Sequence, residues 1–482
     1  MRQKQKIQNP KYRAIATRLV GDIESSLYGV GDKLPSLRAV CLKESVSIIT
    51  AKAAYRTLER EGYILARPKS GYFVADRREI QPPSAYEEVK TSPDLDKEVQ
   101  LIEELCRRSF NGELLPIAAA VPSSTLLPLT TLRRVTSRVL KSHLESFSHY
   151  ADPYGVKELR EELARHYRRN GIRCSHDDVV IHGGAVEAIT TTLRALTKPG
   201  DIVVLEKPTY YILFHAVAQL GLKVIPVTHV PGNGIDIEAL SRVFKRTRIA
   251  AVIVIPNFHN PTGTLMSDEN KEKLVALCAK FQSLLIEDDV YGELYFGAAR
   301  PRPLLFFDRK HTVVHCSSVT KCLGPGLRVG WSISRLFKGA IERTRLFSQV
   351  SAPTLTQHIV AEFFHSEGFS RHRQKLSSVF RDQAPIYRAA LAAALPEGTK
   401  ISKPEGGFLL WVEVPGRVNT TELFRVGTSE GCSFAPGLIF GGGRSSERFF
   451  RISFGSPFTK EIGEAITRLG SLVHDKGLKL KK

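Results

Sequence analysis

The sequence predicts an α/β protein in two parts: a short segment of three helices closed by a β-hairpin, then a large domain on a mostly parallel sheet. Three observations predict it. From residue 179 onward, strand-sized apolar runs alternate with helical ones: Val179–His182, Ala185–Thr197, Ile202–Leu205, Tyr211–Leu220, Ile249–Ile255, Glu272–Phe281 and Leu284–Glu287. That alternation belongs to a sheet with crossover helices, whose ligands bind at the carboxyl ends of the strands. The first 76 residues carry helical periodicity and a hairpin instead. Between the two lies RREIQPPSAYEEVKTSPDLDK, rich in Pro, Ser and charge and without periodicity, a linker composition. The predicted boundaries are 1–76, a linker at 77–97, and 98–482, with a helix such as Leu95 to Phe110 opening the large domain.

Composition excludes several classes. The chain has 482 residues, 42% hydrophobic and 24% charged, enough for more than one core in a soluble protein. The longest apolar runs, such as Ile249 to Ile255, are strand-sized, so no membrane span is expected. The start, MRQKQKIQNPKY, has no apolar stretch behind its charges and reads as no signal peptide. Seven cysteines stand without a CxxC pair or zinc-like spacing. They predict reduced thiols, no bound metal and a cytoplasmic location. Net charge is +20, and residues 1–76 hold 14 Lys and Arg against 7 Asp and Glu, a net +7. Such a balance favours a polyanion partner, nucleic acid first.

In the first segment, Ile15, Leu19, Ile23 and Leu27 predict one buried helical stripe over Tyr12 to Ser26. Ser36 is a candidate N-cap for LRAVCLKE, and Ser47 for SIITAKAAYRTLEREG, which ends at Gly62. Tyr63 to Val74 alternates and turns around Pro68-Lys69-Ser70-Gly71, a two-stranded wing. Three helices, a tight turn before the third and a hairpin make a winged helix-turn-helix. GVGDKLPSLRAV, SVSIITAKAAYRTLEREGYI and RPKSGYFVA closely resemble the DNA-binding domain of GntR-type repressors over residues 10–75. The resemblance implies that Arg38, Ser47, Thr50 and Lys52 face double-stranded DNA, with Arg67 and Lys69 of the wing at the backbone or minor groove. Cations there would neutralise phosphates while the first turn of the third helix enters the major groove. Ile48 stands where many relatives carry arginine and offers only apolar contact, such as to a thymine methyl.

In the large domain, CSSVTKCLGPGLRVGW (Cys316–Trp331) follows the strand-like Thr312–His315. A lysine at a strand end in a small-residue loop is placed to form a Schiff base with an aldehyde. Ser318 and Arg328, either side of Lys321, suit the phosphate and aldehyde of pyridoxal phosphate. HGGAVEAI puts two glycines before a helix, where the N–H groups of Ala185 and Val186 can cradle a phosphate. Tyr210 of EKPTY can stack on a flat heteroaromatic ring. Asn260 of IPNFHNPTG can donate to a ring phenolate oxygen. Asp288 of IEDDVYGELYF, with Tyr291 three residues on, can keep a pyridinium nitrogen protonated. Arg451, between apolar strand residues in FFRISFGS, needs an anionic partner, for which a substrate carboxylate is a natural choice.

In order and spacing, GGA, PxY, NPTG, DxxY, SxxK with an arginine seven residues on, and FRISF resemble the fold-type I aminotransferases over roughly 115–460. The resemblance implies a large α/β/α domain with a smaller C-terminal α+β subdomain, and Lys321 as the lysine bound to pyridoxal phosphate. It places Asp288 at the pyridine nitrogen, Asn260 and Tyr291 at the ring oxygen, and Tyr210 on the ring face. Ser318, Arg328 and the backbone of Ala185 and Val186 meet the phosphate, and Arg451 meets a substrate or effector carboxylate. Gly183 and Ala185 stand where relatives often carry hydroxyl residues, and Thr320 replaces a frequent serine. Tyr150-Ala-Asp-Pro-Tyr154-Gly resembles the segment that lends a tyrosine to a neighbouring subunit.

A GntR-like winged helix joined by a linker to an aminotransferase-like domain is the layout of the MocR subgroup of bacterial regulators. It implies a cytoplasmic homodimer whose signal is pyridoxal phosphate, or an amino compound forming an external aldimine at Lys321. The alternative is a working aminotransferase with an accessory DNA-binding domain. Lys321, Asp288 and Arg451 are all present for it, and the freed Lys321 amine would move the α-proton.

Overall fold

A computed structural model describes residues 11–67, 70–75, 95–366, 368–441 and 443–479. The linker expected at 77–97 lies outside the described residues up to 94, and Lys69 lies outside them too. In the N-terminal domain, α1 (Lys11–Glu24), α2 (Leu37–Glu44) and α3 (Ile48–Arg60) precede the antiparallel pair β1 (Ile64–Arg67) and β2 (Gly71–Val74). Ser36 and Ser47 cap α2 and α3, each accepting a hydrogen bond from the backbone N–H three residues on. Ile15, Leu19, Val40, Ala54, Leu58 and Ile64 close a core around Tyr55, whose hydroxyl donates to Pro35 O at 2.7 Å. One expectation fails: α1 ends at Glu24 and Ser26 turns into positive φ (63°), so Leu27 leaves the stripe and is exposed.

The large domain opens with α4 (Leu95–Phe110), followed by α5 (Leu129–Ser142), α6 (Lys157–Arg169) and an eight-stranded sheet. Its strands are β3 (Val179–His182), β4 (Ile202–Lys207), β5 (Lys223–Val230), β6 (Gly234–Ile235), β7 (Ala251–Val254), β8 (Leu284–Asp288), β9 (Val313–Ser318) and β10 (Gly330–Ile333). They lie in the order β3-β10-β9-β8-β7-β4-β5-β6. Strands β4, β5, β7, β8 and β9 pair in parallel, whereas β10 runs antiparallel between β3 and β9.

Both faces of the sheet are covered, which is why its strands read as unbroken apolar runs. Val203, Leu205, Ala251, Ile253 and Ile286 pack on one face with Ala188, Ile189 and Leu193 of α7 (Ala185–Leu196). The intervening Val204, Val252, Val254 and Leu285 pack on the other with Leu240, Phe244 and Leu274. The period-2 alternation thus divides each strand between two cores.

A smaller antiparallel sheet lies toward the C-terminus: β11 (Lys400–Ile401), β12 (Leu409–Glu413), β13 (Ala435–Pro436) and β14 (Phe449–Ser453), in the order β11-β12-β14-β13. Trp411 stacks on Phe449 at 5.6 Å, and Trp411 stands opposite Arg451 in the register. Replacing Ser47 by Ala removes the α3 cap and should lower the stability of the N-terminal domain by about 1 kcal/mol, read as an earlier first transition in urea denaturation.

Candidate cofactor site and DNA-facing surface

The residues expected around Lys321 come from separate strand ends and meet. Asp288 is the last residue of β8 and Ser318 the last of β9, both buried. The Lys321 amine lies 5.7 Å from the Tyr291 ring centre and donates to Ala120 O at 2.7 Å. Arg451 donates to Asn260 Oδ1 and to Ala118 O, each at 2.9 Å. That bond occupies the Asn260 oxygen and leaves its amide free to donate elsewhere. Tyr210 is half-buried, and the charges of Asp288, Arg451 and Arg328 all reach it.

The Gly183-Gly184 turn leads into α7, where Ala185 is buried and Val186 half-buried. Gly184 has φ +134°, and a Cβ there would stand 2.6 Å from Arg328 Nη2. The guanidinium therefore lies over the helix N-terminus at a distance only glycine permits. Arg328 itself adopts left-handed backbone, φ 48°. Glu187, in the first turn, accepts from Gly183 N at 2.7 Å and so closes one side of the turn.

Charge at the site is set by burial. Burial, then the neighbouring Asp289 charge, raises the Asp288 carboxyl to about 7, against the pull of Lys321. Burial, then Arg451, lowers the Lys321 amine to about 8. Burial likewise pushes Tyr210 and Tyr291 up, so both stay neutral. Asp288 Oδ1, Tyr291 Oη and Arg451 Nε are buried without a hydrogen-bond partner. Unsatisfied groups of this kind are rare in native interiors and call for a ligand or water. One acceptor and one hydroxyl, beside a depressed amine and a guanidinium over a helix N-terminus, fit pyridoxal phosphate group by group.

Sequence reasoning missed the carbonyls of Ala118 and Ala120, which carry no side-chain signal. It also missed Thr209, whose buried hydroxyl has no partner. Two buried polar clusters lie nearby, Glu206–His229–His259 and Glu287–Asp289–His315. In the first, burial pushes Glu206 up, but His259 and His229 hold it down at about 2. The two rings stack at 3.9 Å and 21°, and His229 meets Glu206 through Nδ1 and Thr264 through Nε2. In the second, His315 directs Nδ1 to Glu287 and Nε2 to the Tyr167 hydroxyl, leaving no free nitrogen for a metal.

On the N-terminal domain, Arg38, Ser47, Lys52 and Arg67 are exposed and Thr50 is half-buried. The Ser47 and Thr50 hydroxyls bond each other at 3.0 Å, so the cap and the expected DNA contact use the same groups. Arg67 stacks on Phe73 at 4.4 Å. Ile49, Lys52 and Arg56 are exposed along one face of α3 at helical spacing. Arg56 was not singled out in the sequence, although it follows Lys52 by four positions.

The model of the aminotransferase class I and II family matches residues 123–469, and that of the gntR family of bacterial regulatory proteins matches residues 11–74. The chain belongs to the GntR-type regulators that carry an aminotransferase class I and II domain. It is 34% identical over 466 residues to the HTH-type transcriptional regulator YdcR of Escherichia coli, covering 97% of this chain and 99% of that one. It is 32% identical to YjiR, an HTH-type transcriptional regulator of the same organism, over 96% and 99% of the two chains. Among solved structures it is similar to LysN, an α-aminoadipate aminotransferase of Thermus thermophilus complexed with N-(5'-phosphopyridoxyl)-L-leucine. That match has TM-score 0.72 and 28% identity, covering 80% of this chain and 98% of LysN. The cofactor of the family's large domain is pyridoxal phosphate.

With the Lys321 amine at about 8, the neutral, nucleophilic fraction rises about tenfold per pH unit below that value. Capture of added pyridoxal phosphate by the cofactor-free protein should therefore accelerate from pH 6.5 to 8 and level off above, as followed by stopped-flow absorbance.

Proposed function

We propose that this chain is a homodimeric, cytoplasmic transcriptional regulator of the MocR layout. Its DNA affinity responds to pyridoxal phosphate, or to an amino compound that engages the bound cofactor. The proposed parts are a DNA-binding domain at 1–76, a linker at 77–97 and a cofactor-binding domain at 98–482. The observation that carries the reading is the pairing, in one chain, of an exposed α3 face with a buried lysine site that has partners for every part of pyridoxal phosphate.

When bound, the cofactor supplies an aldehyde for amines and an electron-withdrawing ring. The assigned roles are those of this chain's residues. Lys321 would hold the aldehyde carbon, Asp288 as a carboxylate would accept the hydrogen bond of the protonated ring nitrogen, and Tyr291 with the Asn260 amide would meet the ring oxygen. Tyr210 covers the ring; Ser318, Arg328 and the N–H groups of Ala185 and Val186 hold the phosphate. Arg451 binds a carboxylate on the incoming amine. Arg38, Thr50, Lys52, Arg56, Arg67 and Lys69 face DNA, and Ser47 presents the start of α3. Ile48 and Ile49, 49% and 77% exposed, offer methyl contacts to thymine.

The homodimer is supported by exposed apolar side chains on two segments of the large domain. Leu144, Phe147 and Tyr150 lie on one segment, and Phe347 and Val350 end the helix Lys338–Gln349. Arg345 of that helix donates to Pro153 O, which ties the two segments together. An apolar patch of this kind marks an interface. Among the described residues no helix is long and apolar enough to cross a membrane.

Footprinting upstream of the protein's own gene, with and without pyridoxal phosphate at near-physiological salt, should show discrete repeats whose protection changes with cofactor. Lys321→Ala should lose the visible absorbance of protein-bound cofactor and the cofactor response, while keeping the fold by circular dichroism. An unchanged spectrum overturns the assignment of Lys321. Diffuse, salt-sensitive protection overturns the regulator reading and favours the aminotransferase reading.

A further inference from the structure

The carboxylate expected at the ring nitrogen does not stand alone. Asp289 follows Asp288 at the end of β8 and is fully buried, and Asp288 can pair with a protonated ring nitrogen only as an anion. Two adjacent carboxylates in a low-dielectric interior do not both ionise without a counter-charge. Around Asp288 the titratable neighbours are Asp289, Lys321, His315, Cys316, Tyr210 and Tyr291. Lys321 is the neighbour that most favours the Asp288 anion, and it is the residue assigned to the cofactor's aldehyde.

Asp289 faces the other way. Its Oδ1 accepts from Asn257 Nδ2 at 2.8 Å, and its Oδ2 lies 2.5 Å from Arg300 Nη2. The Arg300 side chain is 3% exposed and also pairs through Nε with Glu293 at 2.6 Å. Glu293 in turn meets His166 Nε2 at 2.8 Å. Lys271 reaches Asn257 at 2.8 Å, and His315 Nε2 lies 3.9 Å from Asp289 Oδ2 while bonded to Tyr167. A row of hydrogen-bonded polar groups thus runs outward beside the cofactor carboxylate: Asp289, Arg300, Glu293, His166.

We propose that Arg300 is a positioning residue: by offsetting the charge of Asp289 it favours Asp288 as the anion that pairs with the protonated ring nitrogen of pyridoxal phosphate. The proposal rests on the cofactor reading above. Without Arg300 the charge of Asp289 stands unopposed beside Asp288, and the ring nitrogen's partner is less readily an anion. The alternative role is mechanical, with Arg300 bracing the loop after β8 to Glu293.

The test is the pH dependence of pyridoxal phosphate affinity between pH 6 and 9, by equilibrium titration of the full chain freed of cofactor. Arg300→Gln should weaken affinity about tenfold at pH 7, one unit's worth of protonation, and by much less at pH 9. Asp289→Asn/Arg300→Gln should return affinity to within about twofold of wild type. Should Arg300→Gln fail to fold, Asp289→Asn alone decides. It should move the acid-side loss of affinity about one pH unit lower. A brace predicts a deficit that is independent of pH and not relieved in the double variant. Either that pattern or an unmoved profile in Asp289→Asn overturns the proposal. Wild type that takes up no pyridoxal phosphate at any pH overturns the cofactor reading, and this inference with it.

Discussion

Much of the large domain answers one constraint, the burial of Lys321 within reach of the charges of Asp288 and Arg451. A buried polar group without a partner costs about 1–3 kcal/mol, and Asp288 Oδ1, Tyr291 Oη and Arg451 Nε are three such groups in one place. Side chains free to move would collapse onto one another. They are held apart by the rigid ends of buried strands: Asp288 ends β8, Ser318 ends β9, and Arg451 sits inside β14 opposite Trp411. The apolar cores behind those strands therefore fix where the polar groups stand.

The same constraint explains the antiparallel strand. β10 is inserted between β3 and β9, so Gly330 comes directly against the turn at Gly184; a Cβ on Gly330 would stand 2.7 Å from Gly184 Cα. Arg328, two residues before, then reaches over the N-terminus of α7. A strand in the parallel sense would need a long crossover and could not follow Arg328 so closely.

The site was legible in the sequence where chemistry sits at a strand end. Apolar runs stopping at Asp288, Ser318 and the Gly183-Gly184 turn place those groups on one edge of the sheet by topology alone. What was not legible depends on packing between distant segments. Ala118 and Ala120 act through carbonyls, which any residue possesses. Nothing in the sequence marks Arg300, because its partners Asp289 and Glu293 come from a loop whose path no periodicity fixes. In the N-terminal domain the caps Ser36 and Ser47 were legible because capping is local. Leu27 misled because apolar spacing continued past Glu24 while the backbone turned at Ser26.

A regulator of this layout needs more than two sites in one chain. A ligand shifts an equilibrium only by its differential affinity for the two states, and coupling of 1–3 kcal/mol is usual. Some buried element must therefore touch both the cofactor turn and a surface able to repack. Arg345 meets that description. Burial lowers its basicity and the Glu187 charge opposes this, and Glu187 itself closes the Gly183 turn. Its Nη1 holds Pro153 O, beside the exposed Tyr150, while Nε and Nη2 are buried without a partner. Arg345 thus links the Gly183 turn, through the charge of Glu187, to the segment that carries Tyr150.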